Sequence, residues 1–208
     1  MPIELLLKLT LWGCWTTTYV LVIRRAHIDK VPAMPFPATC MNTAWEGMML
    51  FEHGFGGLGW ITVFIWFALD LVILAQYFVY ARPRRITTIA DEAFWPASLL
   101  LMTACMAMPL VIHASFDDRS GLIAAYLQNA LMSILFCDML LRRNSVRGQS
   151  LYIALAKMCG TGVAILYGEP SGAFLLSCYL TIVVFDAAYV LLLGRVARRD
   201  GIALSGRL

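Results

Sequence analysis

Charge is scarce in this sequence. Only 14% of its 208 residues are charged, 61% are hydrophobic, and the mean hydropathy is +0.76. Too little polar surface remains to coat a soluble globule, so the chain is an integral membrane protein. Metal and disulfide spacings are missing as well. Cys14, Cys40, Cys105, Cys137, Cys159 and Cys178 all fall in apolar segments without a Cys-x-x-Cys pair and read as small core residues. Neither Asp-Asp-x-x-Asp nor Asp-x-Asp-Asp occurs, and no glycine-rich loop could cradle a phosphate. The acidic stretch Asp117-Asp118-Arg119-Ser120 reads as a solvated turn, and His53 and His113 read as interfacial residues rather than haem ligands. No metal and no cofactor are expected. The net charge of +3 lies in short clusters between apolar runs rather than along one face, which excludes a nucleic-acid partner. No loop is long enough to fold as a domain, and no repeat of fixed period is present.

What remains is a series of apolar runs. With about 20 residues per crossing, seven spans are expected: 3–23, 35–53, 58–80, 95–115, 121–141, 149–168 and 172–194. The first has no basic segment before it and no small-residue cleavage site, so it is expected to persist as a helix. Basic residues alternate between connections. Arg24, Arg25 and Lys30 follow span one; Arg82, Arg84 and Arg85 follow span three; Arg142, Arg143 and Arg147 follow span five; Arg195, Arg198, Arg199 and Arg207 follow span seven. Of the other connections, only 116–120 holds a basic residue, Arg119. The positive-inside rule then puts the N-terminus outside and the C-terminus in the cytoplasm. The expected fold is all-α: one seven-helix transmembrane domain over residues 1–208, multi-pass in the cell membrane and embedded in the lipid bilayer. Pro109 should kink span four, and Gly54, Gly56, Gly57 and Gly59 should form a tight outer turn.

The run Met34–Phe51 is the most informative, because Asn42, Trp45 and Glu46 sit near its middle. A carboxylate at that depth costs about 2.5 to 3.5 kcal/mol on insertion scales, so it is rarely there without a task or a partner. Glu46 lies about eleven residues from the inner end of its span and Asp70 about twelve from the outer end of its own, at ~1.5 Å per residue. By the same count Asn129 is about eight residues from its outer end, and Lys157 and Asp186 each about eight from their inner ends. Five helices are therefore expected to converge on one buried polar site. Asn42/Glu46, Trp66/Asp70 and Asn129/Ser133 are i,i+4 pairs and Asp186/Tyr189 is i,i+3, so each pair shares a face. Interhelical hydrogen bonding explains Asn129, Ser133 or Thr161 singly. It does not explain three carboxyls with one intramembrane cation, Lys157. Desolvation and like-charge repulsion favour the neutral acid, so at least one carboxyl should carry its proton. Such an acid suits a proton donor in catalysis or a proton-coupled carrier. Most of the aromatics read as lipid-facing or interfacial anchors; Trp45, Trp66 and Tyr189, close to buried carboxyls, are candidates to stabilise a cation.

Several stretches read together resemble the integral-membrane terpene cyclases of fungal meroterpenoid and indole-diterpene pathways. They look most like the bacterial members that cyclise farnesylated indole cyclodipeptides in drimentine-type pathways. The residues that carry the resemblance are Met34-Pro35, Asn42-x-x-Trp45-Glu46, Trp66-x-x-x-Asp70, Gln128-Asn129 with Met132-Ser133, Gly160-Thr161, and Asp186-x-x-Tyr189. The resemblance implies that Glu46 and Asp186 are the catalytic pair and act as a unit. It also implies a reaction begun by protonation of an alkene or epoxide, with no diphosphate loss and no magnesium. Asn42, Trp45, Trp66, Asp70, Gln128, Asn129, Ser133, Lys157 and Tyr189 are then expected to orient the acids or bind a prenylated, farnesylated small-molecule substrate. The rivals are a proton-coupled small-molecule transporter and a non-enzymatic membrane assembly factor.

Reporter fusions placed after residues 30, 84, 145 and 200 should all report cytoplasm. A periplasmic signal at 84 or 145 would overturn the expected orientation.

Overall fold

The computed structural model describes residues 2–52, 57–81, 92–168 and 172–203. The expected turn at Gly54 and Gly56, together with His53, Arg82, Arg84, Arg85, Glu169–Ser171 and Arg207, lies outside the described residues. Within them the chain forms seven helices and no strand: α1 (Pro2–Asp29), α2 (Phe36–Glu52), α3 (Gly57–Tyr80), α4 (Phe94–Phe116), α5 (Leu122–Arg143), α6 (Leu151–Gly168) and α7 (Ala173–Arg199). Helix is the form that lets an isolated apolar segment satisfy its own backbone in lipid. Five of the helices, α1, α3, α4, α5 and α7, are long and apolar enough to cross a membrane. The expected spans end early where charge begins: α1 runs through Arg24 and Arg25 to Asp29, and α7 through Arg195 to Arg199. Charged residues mark the edge of an apolar layer, but they do not stop a helix. Nor does Pro109, since α4 is continuous across it.

Packing follows from which faces are apolar. α1 packs on α3 and α6, α2 on α3, α4 and α5, and α7 on α5 and α6. Helices α1, α3, α2, α5, α7 and α6 thus close a ring, and α4 lies outside it against α2 and α5. The outward faces are apolar, with Leu100, Val111, Leu166, Val184 and Leu191 exposed, as a lipid-facing surface requires. On α3 the inward stripe is Trp66, Asp70 and Ile73 alone, at i, i+4 and i+7. α2 is the short, enclosed element, buried from Phe36 through Thr43 except at Pro37 and again at Glu46 and Met49. That enclosure is what lets it hold polar side chains away from lipid.

At the arginine-rich end, Asp29 ties α1 to the loop before α6. Its carboxylate accepts hydrogen bonds from Arg25 (2.9 and 2.5 Å) and from the Gly148 amide (2.6 Å), while Arg147 donates to the Asp29 carbonyl (2.9 Å). Arg143 donates to the Pro32 carbonyl at 2.7 Å. Gly148 has φ +72°, and a Cβ there would lie 2.8 Å from the Pro32 oxygen, Val31 Cγ2 and Arg143 Nη1. Gly148→Ala should therefore lower stability by about 1 to 3 kcal/mol through backbone strain and displacement of this knot. The check is thermal unfolding in detergent, with Gly201→Ala, at a similar φ but in open space, as the milder control.

Candidate active site

The ring encloses a cavity of about 240 Å³ to which all six of its helices contribute. Its walls are mainly aromatic and aliphatic: Leu11, Trp15 and Tyr19 from α1, Trp45 from α2, Trp66 from α3, Tyr126 and Met132 from α5, Ile165 from α6 and Ile182 from α7. Glu46 is the one carboxyl in the lining. α2 carries it inward one turn after Asn42, so both side chains reach the same place. Tyr19 Oη donates to Glu46 Oε1 at 2.7 Å, and Asn42 Nδ2 donates to Tyr19 Oη at 3.0 Å. Asp70, on the inward stripe of α3, is fully buried behind Glu46 and within side-chain hydrogen-bonding reach of it. Trp66, one turn before Asp70, lines the cavity and fixes its indole by donating to Thr16 Oγ1 at 2.9 Å.

A second polar group lies deeper. Lys157 Nζ donates to both oxygens of Asp186 (2.7 and 3.0 Å) and to Ser133 Oγ (2.7 Å), and all three residues are buried. Thr161, Asn129 and Ile182 line the cavity and stand four residues from Lys157, Ser133 and Asp186, respectively. The ion pair therefore sits one helical turn, ~5.4 Å, beyond the cavity toward the arginine-rich end. Asn129 Nδ2 donates to Thr161 Oγ1 at 3.1 Å between the two layers, and Ser133 Oγ donates to the Asn129 carbonyl at 3.0 Å.

The expected convergence thus resolves into two networks. Glu46 is joined by Asn42 and Asp70, and Asp186 by Lys157 and Ser133; the structure brings Asp70, rather than Asp186, beside Glu46. Gln128 lines the cavity and its Oε1 has no partner, and Trp45 lines it near the other end. Tyr189 is buried against Phe136 (ring centroids 5.4 Å apart) with its hydroxyl unpartnered, outside the cavity lining. Tyr19 is the residue that sequence reasoning undervalued, because it read as one more anchor. The signal was its spacing from Leu11 and Trp15, in steps of four, which puts all three on one face of α1, the face that lines the cavity.

The other end of the cavity is framed by Ser120, Gly121 and Leu122. Trp45 Nε1 donates to the Gly121 carbonyl at 2.8 Å. A Cβ at Gly121 (φ +67°) would lie 2.6 Å from Met49 Sδ, so this rim requires glycine. The acidic stretch here is not wholly a solvated turn. Asp117 and Arg119 are exposed, but Asp118 is buried, accepting from the Ala124 amide (3.0 Å) and Ser120 Oγ (3.2 Å) to cap α5. His113 lies between the Asp118 carbonyl (2.8 Å) and Glu52 Oε1 (3.0 Å), which joins α4 to the end of α2.

A membrane-embedded helical bundle whose apolar, aromatic-walled cavity holds one uncompensated carboxyl is the class of protein that fold and site define. Comparison with known proteins gives the family: the Pyr4-like transmembrane terpene cyclases match residues 2–168, and the chain belongs to them. It is 27% identical over 160 residues to the Pyr4-family terpene cyclase mfmH of Annulohypoxylon moriforme, covering 74% of this chain and 64% of that protein. It is 26% identical over 153 residues to the terpene cyclase macJ of Penicillium terrestre, covering 71% and 59%. A 79-residue stretch is 29% identical to the terpene cyclase trt1 of Aspergillus terreus, covering 38% and 39%. The chain thus spans less than two thirds of the length of these relatives. No solved structure matches it.

The ion pair makes its own prediction. Removing one partner of a buried pair typically costs about 3 to 5 kcal/mol, whereas replacing both with apolar side chains of similar volume is often near neutral. Asp186→Asn and Lys157→Met should each lower the unfolding temperature in detergent markedly, and Lys157→Met combined with Asp186→Leu should recover much of that loss. Equal destabilisation by single and double variants would show that the pair is not the source.

Proposed function

We propose that the protein is a protonation-initiated, metal-independent terpene cyclase of seven membrane crossings, with its N-terminus outside and its C-terminus cytoplasmic in the cell membrane. In this reading a prenylated substrate, a farnesylated indole or cyclodipeptide, threads its isoprenoid chain into the cavity between the helices. Glu46 gives its proton to the terminal alkene, or to an epoxide in its place. Internal double bonds attack the carbocation in turn, and a final deprotonation, or capture by the attached group, closes a drimane-type bicyclic product. The single observation that carries this reading is a buried carboxyl, without a cation, in the wall of an apolar cavity.

Physical requirements of the chemistry agree with that setting. A cascade needs the chain prefolded, and proximity with orientation can supply about 7 to 11 kcal/mol of the barrier. It also needs water excluded, since water would capture the cation. Trp15, Tyr19, Trp45 and Trp66 line the cavity, and their rings offer π density to positive charge. Asp186 is proposed as required too. Ion-paired with Lys157 one turn away, it keeps that lysine from presenting an unbalanced positive charge to a cationic intermediate. A proton-coupled transporter would also use a buried acid, but it would return its substrate unchanged.

Membranes containing the protein, given a farnesylated indole, should yield a product of unchanged mass whose NMR spectrum shows new rings. Glu46→Gln keeps shape and hydrogen bonding but loses the proton, and should lower turnover by several orders of magnitude with insertion intact. General acid catalysis alone is typically worth about 10²- to 10⁴-fold. Substantial cyclisation by Glu46→Gln would remove Glu46 from the role, and movement of substrate across sealed vesicles without isomerisation would favour transport.

A further inference from the structure

We propose that Asp70 is a positioning residue for the acid at Glu46: it remains a neutral carboxylic acid and donates its proton into a hydrogen bond to Glu46. The inference starts from partners. Asp70 is fully buried, and among the described residues no group other than the Glu46 carboxyl comes within hydrogen-bonding reach of its oxygens. An ionised carboxylate left so would be an uncompensated buried charge, which the interior does not tolerate. The mid-bundle cation is not available to it, because Lys157 is held by Asp186 and Ser133. Neutral Asp70, by contrast, carries a donor of its own, and the acceptor within reach is Glu46.

Asp70 is absent from the cavity lining while Glu46 is present in it, so the two acids have different access. Glu46 Oε2 receives no hydrogen bond in the structure, whereas Oε1 is taken by Tyr19. The role in turnover rests on the cyclase reading; the protonation state of Asp70 does not. When the Glu46 O–H bond breaks, the proton joins the terminal alkene carbon through the π electron pair, and the O–H pair stays on Glu46 as carboxylate. That carboxylate is then held by two donors, Tyr19 Oη and the Asp70 O–H. In the closing step a C–H electron pair forms the product alkene, and the released proton returns to Glu46. Asp70 keeps its own proton throughout, and the sequence balances as an isomerisation with no outside acid or base.

Two variants and one spectrum test this. Asp70→Asn keeps an N–H donor in place, and its kcat should fall by no more than about tenfold. Asp70→Leu removes the donor, and its kcat should fall by about 10²-fold or more with KM little changed, the size of effect seen when a donor to developing negative charge is lost. Infrared spectra of the resting protein should contain carbonyl bands from two buried protonated carboxyls, one lost in Asp70→Asn and the other in Glu46→Gln. A carbonyl spectrum unchanged by Asp70→Asn would mean that Asp70 is ionised and would overturn the proposal, as would equal turnover by Asp70→Asn and Asp70→Leu. If Asp70→Leu does not fold, the infrared comparison of Asp70→Asn with the unsubstituted protein decides. Absence of any cyclisation by the unsubstituted protein would count against the cyclase reading alone, leaving the infrared result to decide the state of Asp70.

Discussion

In an interior closed off by lipid a charge is held only beside an opposite one, and among the described residues the middle of the bundle sets one lysine, Lys157, against three carboxyls, Glu46, Asp70 and Asp186. The rest of the interior depends on how that imbalance is shared. Asp186 takes the lysine, with Ser133 satisfying another of its donors. Glu46 and Asp70 are left with each other, a tyrosine and an asparagine. The ion pair can therefore brace α5, α6 and α7 from below, while of the two remaining acids Glu46 lines the cavity and Asp70 lies outside its lining.

The helix arrangement follows the same constraint. α2 carries Asn42, Glu46 and a run of buried residues with little apolar surface to spare for lipid, and it is enclosed by α3, α4 and α5. α3 and α4, with few buried residues, stand against lipid instead. α4 gives nothing to the cavity and acts as an outer buttress of α2 and α5. Rigidity at both ends helps to hold the acids in place. Asp29 pins α1 to the loop before α6, and His113 and Asp118 pin α4 and the start of α5 near the rim.

Much of this is legible in the sequence. Hydropathy located every helix to within a few residues on its apolar side, because burial in lipid demands a continuous apolar run. It misplaced the charged ends of α1 and α7, where the helix continues past the apolar layer as far as Asp29 and Arg199. Depth counting rightly put Glu46, Asp70, Asn129, Lys157 and Asp186 inside, since rise per residue is fixed. It could not rotate one helix against another, so it could not tell that Glu46 meets Asp70 or that Asp186 meets Lys157.

The sequence by itself determined that the protein is a membrane-embedded helical bundle with more buried acid than base, because composition and helical rise are properties of the chain alone. The tertiary structure alone decided which acid is paired, which one lines the cavity, and that Tyr19, on a helix 17 residues or more away in sequence, holds Glu46 at 2.7 Å. Those outcomes depend on the order of helices around a ring. Local propensity does not encode that order, because each lipid-length helix is satisfied in its own backbone, and its neighbours are chosen only by how side chains from distant segments fit together.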